Sequence, residues 1–259
     1  MRKFKVVSIV LVCFFALAFT ACDNGVTIGT VDGAGGGGGA AGNPPITSPG
    51  SPSLTINQPV YLLTQDANGF PVLGGRLSGT HMVSGNGAAG TISGGNLEFT
   101  TGSPQWLSPI AFFFPDGATF QPDGVQVSWL GMSTGGTGLL LEHISHVISG
   151  NNISEQFVQR RHIYVSSDVV VTRPHMTQPV SWVTRYGVFV SGTATEQAFT
   201  LNLRAGWNVF HLREVGTVTF AGTWPNPTSV TGNVTTTTSI ADPGHPLRWR
   251  LGSSRQWHW

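Results

Sequence analysis

At residues 199–210 the chain reads FTLNLRAGWNVF, with alternating apolar and polar residues on both sides of Ala205-Gly206. A period of two places the apolar side chains on one face of a β-strand, whereas an amphipathic helix needs a period of about 3.6. Two such runs joined by a short link that contains glycine are typical of a β-hairpin. The segment therefore predicts a strand on each side of Ala205-Gly206 and a hairpin between them.

The same pattern continues outward from this segment. Alternating runs that predict further strands occupy residues 97–100, 125–129 and 217–220. Two unbroken apolar runs, Val169–Val171 and Phe112–Phe114, predict strands that are buried on both faces. Residues 139–148 fit a helix or a strand equally well.

Turn signals such as Asn68-Gly69 and Asp123-Gly124 separate these runs. Short strands and frequent turns predict an all-β fold, an antiparallel β-sandwich. The body at residues 54–259 is long enough for one large sandwich or for two consecutive Ig-like sandwiches. In the second case we expect the seam near residues 150–154.

Charged residues make up 10% of the chain, compared with about 25% in an average soluble domain. From Cys22 onward, ten arginines and twelve acidic residues give a formal charge of −2, and no lysine remains. Nucleic-acid-binding proteins carry a basic patch or stripe, and here only Arg248, Arg250 and Arg255 cluster. The composition therefore predicts an exported, β-rich protein with no nucleic-acid partner.

Residues 1–21 have the layout of a secretory signal peptide. Three basic residues precede an apolar run at residues 6–19, which is too short to span a bilayer as a helix. The run ends in Phe19-Thr20-Ala21-Cys22, which resembles a bacterial lipobox with Phe19 in the place of the usual Leu. The resemblance implies that Cys22 is lipid-modified and holds the mature protein on a membrane.

Residues 22–53 are predicted to form a disordered tether, because they are rich in Gly and Pro and bury little apolar surface. The chain has two cysteines, Cys13 and Cys22, and Cys13 lies within the signal peptide. Cys22 is thus the sole thiol of the predicted mature protein, which excludes an intramolecular disulfide and a cysteine-based metal site there.

Three segments carry a resemblance to a protein family. They are residues 163–171, which read IYVSSDVVV, residues 201–209, which read LNLRAGWNV, and residues 90–99, which read GTISGGNLEF. Together they resemble segments of spirochaete surface lipoproteins. The resemblance implies a cell-envelope location and no particular activity. We expect the outer membrane or the cell surface more than the inner membrane, and the sequence leaves the choice of membrane open.

Residues 131–135 match the Gly-x-Ser-x-Gly pattern of the nucleophile elbow in α/β-hydrolases, with Ser133 at its centre. Such an enzyme also needs an acid and a histidine. The candidates are Asp168 and Asp242 for the acid, and His175, His245 and His258 for the histidine. The elbow requires a helix directly after the serine, but glycines follow. The pattern therefore favours a hairpin tip at Ser133, and Asp168 is predicted to act as a bend or cap.

His143 and His146 could share one face of a helix, but on a strand residues three apart point to opposite faces. The segment lacks the His-Glu-x-x-His zinc motif. We therefore expect no metal and no cofactor.

Trp249, Trp257 and Trp259 alternate with polar residues near the C-terminus. They predict either a last strand that completes the sandwich or an exposed aromatic strip that binds a glycan or an envelope protein. The sequence as a whole predicts a membrane-anchored envelope lipoprotein with a non-catalytic structural or binding role. The alternative is a lipid-anchored serine hydrolase that uses Ser133.

Overall fold

The structure is a computed structural model. It describes residues 47–48, 50–67, 71–114, 116–183, 189–223, 226–241, 244–245 and 247–251. The predicted signal peptide, Cys22 and most of the predicted tether lie outside the described residues. Within the described ranges the regular elements are strands and one turn of 3-10 helix at Ile110–Phe112, so the predicted all-β class is confirmed.

In chain order the strands are β1 (Thr47–Ser48), β2 (Leu54–Gln65), β3 (Pro71–Arg76), β4 (Thr80–Gly85), β5 (Ala88–Ser93), β6 (Asn96–Thr101), β7 (Ser108–Pro109), β8 (Thr119–Gln121), β9 (Gln126–Trp129), β10 (Ser133–Thr134), β11 (Thr137–Ser149), β12 (Asn152–Val165), β13 (Val169–Arg173), β14 (Met176–Val183), β15 (Phe189–Glu196), β16 (Phe199–Leu203), β17 (Gly206–Thr223), β18 (Asn226–Ser239) and β19 (Arg248–Leu251).

The strands form a small sheet and a large one. The small sheet has the order β1-β16-β13-β8, and the main path of the large sheet runs β10-β4-β5-β6-β2-β19-β11-β12-β17-β18-β15-β14. Most neighbours are antiparallel, whereas β1–β16, β19–β2 and β15–β18 are parallel. The antiparallel sandwich predicted from alternation is thus the observed fold class, with parallel pairs where the chain crosses over.

Part of the large sheet closes on itself. β10 pairs with β4 through Ser133 and Ser84, and it also pairs with β11. The six strands from β4 to β11 along the path, together with β10, therefore form a closed circuit of seven strands. This circuit surrounds the first hydrophobic core, which includes Leu54, Ile56, Leu97, Leu139, Leu141 and Trp249.

The small sheet covers a second core, and the long strands β12 and β17 contribute to both cores. Val158 and Trp207 belong to the first core, whereas Ile163 and Phe210 belong to the second. Side chains of a strand alternate between faces, so the two cores lie on opposite faces of the β12–β17 pair. Burial on both faces explains why β12 has so few exposed positions.

The predicted hairpin at residues 199–210 is wrong. β16 pairs with β13 and β1 in the small sheet, whereas β17 pairs with β12 and β18 in the large sheet. Residues 204–205 therefore carry the chain from one sheet to the other, as an arch. The two runs form strands in facing layers, and both strands bury apolar side chains in the second core. Leu201 and Leu203 come from the small sheet, and Phe210 comes from the large one. This shared core explains why both runs alternate.

The arch is held by polar contacts and by a glycine. The Ala205 amide donates to Asp168 Oδ1 at 2.8 Å, and the Arg204 amide donates to Asn208 Oδ1 at 2.9 Å. Gly206 has φ +105°, and a Cβ at this position would lie 2.6 Å from the Ser51 carbonyl oxygen. Glycine is therefore required here both for its conformation and for the close approach of the backbone.

Two further sequence interpretations need correction. Residues 112–114 are not a strand buried on both faces, because Phe112 ends the 3-10 turn and is 67% exposed. Val169–Val171 do form a strand, β13, but Val170 is 38% exposed and only one face is buried. An unbroken apolar run therefore does not imply burial on both sides in this chain.

The ambiguous segment at residues 139–148 lies in a strand, β11. It pairs with β12 over eight positions, and Gly150 and Asn151 form the turn between them. Residues 150–154, where a seam was expected, thus lie within a continuous hairpin of one sheet.

Candidate functional site

Ser133 lies beside a hairpin turn, as the sequence predicted. Ser133 and Thr134 pair with the start of β11, and Gly135 and Gly136 form the turn with φ values of +54° and +80°. Positive φ at both central residues is the geometry of a two-residue hairpin turn. A strand, not a helix, follows the serine, so the Gly-x-Ser-x-Gly pattern does not form a nucleophile elbow.

Asp168 caps the arch between the sheets, as predicted for a bend residue. Its Oδ1 accepts from the Ala205 amide, and its Oδ2 accepts from Arg204 Nη1 at 2.5 Å. The hydrogen bond from the Ala205 amide, followed by that from Arg204, lowers the pKa of this carboxyl. The carboxylate therefore stays charged and holds the loop.

The two histidines of β11 have different partners on opposite faces of the strand. His146 Nε2 lies 3.0 Å from Asp66 Oδ2, whereas the His143 ring stacks on His245 with centroids 4.9 Å apart. Within the part of the chain that the structure describes, no three His, Cys, Asp or Glu side chains are grouped to hold a metal ion.

Trp249 is not available for an exposed aromatic strip. It is 1% exposed and lies in the first core, on the strand that is inserted between β2 and β11. Both faces of this strand are buried, because its next residue, Arg250, points to the opposite face and is also buried. Trp257 and Trp259 lie outside the described residues.

Arg250 forms a buried ion pair with Glu142 of β11. A recess beside the pair is lined by apolar side chains, including Leu63 and Ile144, and has a volume of about 20 Å³. A cavity of this size holds one water molecule but no organic ligand. The pair therefore belongs to the architecture of the sheet.

A second buried polar group lies where β12 and β17 meet. Arg160 Nε donates to His211 Nε2 at 2.8 Å. Burial, together with the nearby charges of Arg160 and His211, lowers the pKa of His162 to about 3. His162 is therefore neutral near pH 7, and it is 2% exposed, which points to a structural role.

The most distinctive surface lies at the far end of the large sheet. Here β11, β12, β17, β18, β15 and β14 are adjacent, and one face carries hydroxyl and amide side chains in rows across the strands. We call this surface the hydroxyl face and define it by Ser149, Asn152, Thr219, Thr231, Ser191 and Ser181 in the first row, Ser154, Thr217, Asn233 and Thr193 in the second, and Thr235, Thr195 and Thr177 in the third.

Alternation along the strands creates this face. Ile153, Val218, Val230 and Val190 point to the opposite face and are at most 3% exposed. The residues of the hydroxyl face are exposed or half-buried. A sheet with one buried and one solvated face accounts for polar side chains on the outside.

Neighbouring side chains of the hydroxyl face hydrogen-bond across the strands. Thr219 Oγ1 donates to Asn152 Oδ1 at 2.8 Å, and Thr193 Oγ1 donates to Asn233 Oδ1 at 2.5 Å. The hydroxyls of Thr177 and Thr195 lie 3.3 Å apart. These contacts fix side chains that are already restricted at χ1. The polar groups are therefore held in place by their neighbours on the sheet.

The sequence contains a signal for this face that sequence reasoning did not use. Threonines recur at alternate positions in β15, β17 and β18, for example Thr193 and Thr195, and Thr217 and Thr219. That spacing predicts threonines on one face of each strand. The strand order brings these threonines together on one surface, and the parallel pairing of β15 with β18 is essential to it. The spacing of the threonines in the sequence does not predict that strand order.

Comparisons with known proteins gave no match to a family model, to a curated protein or to a solved structure. Among the described residues, no helix is both long enough and apolar enough to cross a membrane.

Proposed function

We propose that this chain is a lipid-anchored protein of the bacterial envelope with a non-catalytic binding role. The observation that carries the proposal is the sequence Phe19-Thr20-Ala21-Cys22 at the end of a signal-peptide-like leader. The part of the predicted tether that precedes β1, residues 22–46, has a reach of roughly 25–30 Å, which is enough to lift the β-rich body clear of a lipid surface.

The hydroxyl face supports the binding part of the proposal. Its hydrogen-bonded side chains are preorganised, and preorganisation lowers the entropic cost of binding. A hydrolase that uses Ser133 receives no support from the hairpin at that position, because the serine is not placed on a strand-to-helix elbow. We therefore favour binding over hydrolysis.

Metabolic labelling with a palmitate analogue tests the anchor. We expect label on the wild-type chain and on Cys13→Ala, and none on Cys22→Ala. The Cys13→Ala variant is a matched control because it removes the other thiol of the chain. Label that persists on Cys22→Ala, or a wild-type chain without label, would contradict the anchor. Protease treatment of intact cells then shows whether the body faces outward.

A further inference from the structure

We propose that the hydroxyl face binds a neutral polysaccharide, which lies flat across the strands with one sugar ring against Phe189. The inference rests on the proposed binding role and names the class of ligand for the same surface.

The shape and extent of the surface favour an extended polymer. The row Ser149, Asn152, Thr219, Thr231, Ser191 and Ser181 takes one residue from each of six adjacent strands. At roughly 4.8 Å between strands, the row is about 24 Å long. Such a row offers a repeating set of polar groups, which suits an extended polymer with repeating units better than a compact small molecule.

The rows of this face contain no charged residue. Their remaining positions are Ser145, Val147, Gln156, Pro179 and Val215. Arg213 of β17 lies at the border of the face, where its Nη2 donates to Gln156 Oε1 at 2.7 Å. Among the described residues of these rows an anionic polymer would meet this one arginine at the border, and its other charges would lose water without gaining a partner. A neutral polymer exchanges hydrogen bonds with water for hydrogen bonds with hydroxyls, each of which can donate one and accept two.

The exposed aromatic ring of Phe189 favours a sugar as the bound unit. Phe189 alternates in phase with Ser191 along β15, so both project from the same face, and Phe189 is 62% exposed. It pairs with Val183 of β14 and lies two residues before Ser191 of the first row. An apolar ring beside rows of hydroxyls matches the two sides of a sugar, since its C–H face packs on the ring while its hydroxyls bond to the neighbours.

Affinity electrophoresis of the mature full chain tests the inference. The chain is kept in a polyoxyethylene detergent, which carries no sugar. Native gels contain dextran, laminarin or hydroxyethyl cellulose as neutral probes, and carboxymethyl cellulose as the anionic one. We expect retardation by at least one neutral probe, little effect of salt, and weaker retardation by carboxymethyl cellulose than by hydroxyethyl cellulose.

Two variants locate the binding surface. Phe189→Ala should weaken binding about tenfold or more, which corresponds to about 1.4 kcal/mol per factor of ten. The double variant Thr193→Val/Thr231→Val removes two hydroxyls at nearly constant volume and should weaken binding about two- to tenfold per hydroxyl.

Each variant has a matched control elsewhere on the molecule. Phe112→Ala removes an aromatic ring of similar exposure, at 67%. Thr55→Val/Thr100→Val removes an exposed pair of threonines that face each other across β2 and β6 with their hydroxyls 3.2 Å apart. Both controls should bind like the wild-type chain. Equal losses in variants and controls would overturn the assignment of the surface.

The remaining outcomes are also decisive. A folded, lipid-labelled chain that none of the neutral probes retards overturns the polysaccharide inference and leaves the lipid anchor standing. Preference for the anionic probe overturns it as well. A dimer that Phe189→Ala dissociates, in a chain that no probe retards, assigns the face to self-association instead. Loss of envelope retention in Cys22→Ala reports on the anchor alone.

Discussion

Replacing Arg250 by methionine removes one half of a buried ion pair and leaves the other half in place. Arg250 is 2% exposed, and so is its partner Glu142. They join β19 to β11 inside the large sheet. The substitution keeps an unbranched side chain of moderate size, so its main effect is to take the positive charge from a carboxylate that solvent does not reach.

The magnitude follows from this burial. Breaking a buried pair at one side costs about 3–5 kcal/mol, because the remaining charge is left uncompensated. A domain of this kind has a total stability of about 5–15 kcal/mol. We therefore expect Arg250→Met to remove a large part of the free energy of unfolding, and Glu142→Leu to do the same. Replacing both residues together should recover most of the loss, since well-packed apolar residues substitute for a buried pair at little cost.

Urea unfolding of the two single variants and the double variant measures this coupling as a double-mutant cycle. Tryptophan fluorescence, to which the buried Trp249 and the other seven tryptophans of the chain contribute, follows the unfolding. An interaction free energy of about 2 kcal/mol or more supports the reasoning. Single variants within about 1 kcal/mol of the wild type, or strictly additive losses, would refute it, because the carboxylate would then have found solvent or another partner.

Three other predictions concern the arch and the buried histidine. Gly206→Ala should lower the free energy of unfolding by about 1–3 kcal/mol. A non-glycine residue is strained at this φ, and its Cβ would meet the Ser51 carbonyl. The shift of the urea midpoint measures the loss. The lowered pKa of His162 means that the unfolded chain takes up a proton below about pH 6.5 while the folded chain does so only near pH 3. Stability should thus fall as the pH drops through this window, by up to about 1.4 kcal/mol per pH unit, and urea titrations of His162→Leu should show a smaller slope. Asp168→Ala should speed hydrogen exchange of the Ala205 amide, because that amide loses its acceptor, and exchange measured by NMR checks this.

Controls for these predictions lie on the same molecule. Gly75→Ala places a Cβ where no atom lies within 4 Å, so it should leave the urea midpoint nearly unchanged. Asp123→Ala removes an exposed turn carboxylate and should not alter exchange at Ala205. Equal losses for Gly75→Ala and Gly206→Ala, or an unchanged pH slope in His162→Leu, would contradict the structural reasons given.

Alternation in the sequence was sufficient to predict the all-β class and the buried face of several strands. Phe199, Leu201 and Leu203, for example, lie on one face of β16, as their spacing indicates. Alternation gives the face of a strand but not its partner, and this is why residues 199–210 suggested a hairpin. The partner depends on the layer to which each strand belongs. A glycine such as Gly206 is compatible with an arch between two sheets and with a hairpin within one sheet.

The candidate site was less accessible to sequence reasoning. The terminal tryptophans suggested an exposed strip, but Trp249 lies in the core because β19 is inserted between two strands that are distant in the chain. The hydroxyl face arises from strands whose order along the sheet differs from their order along the chain, including the parallel neighbours β15 and β18. Non-local pairings of this kind leave no local signal in composition or spacing.

β2 lies near the start of the described residues and β19 is the last strand among them, yet the two are neighbours, with Val60 opposite Trp249. Among the described strands, this edge of β2 therefore stays unpaired until Arg248–Leu251 have been synthesised and exported. An unpaired edge is a template for pairing with other chains, and contacts between distant segments slow folding. Export from the N-terminus, as the predicted signal peptide requires, exposes that edge on the far side of the membrane before its partner arrives. We expect the nascent protein to depend on an export chaperone that shields strand edges. We also expect a chain truncated before Arg248 to aggregate, because it lacks β19.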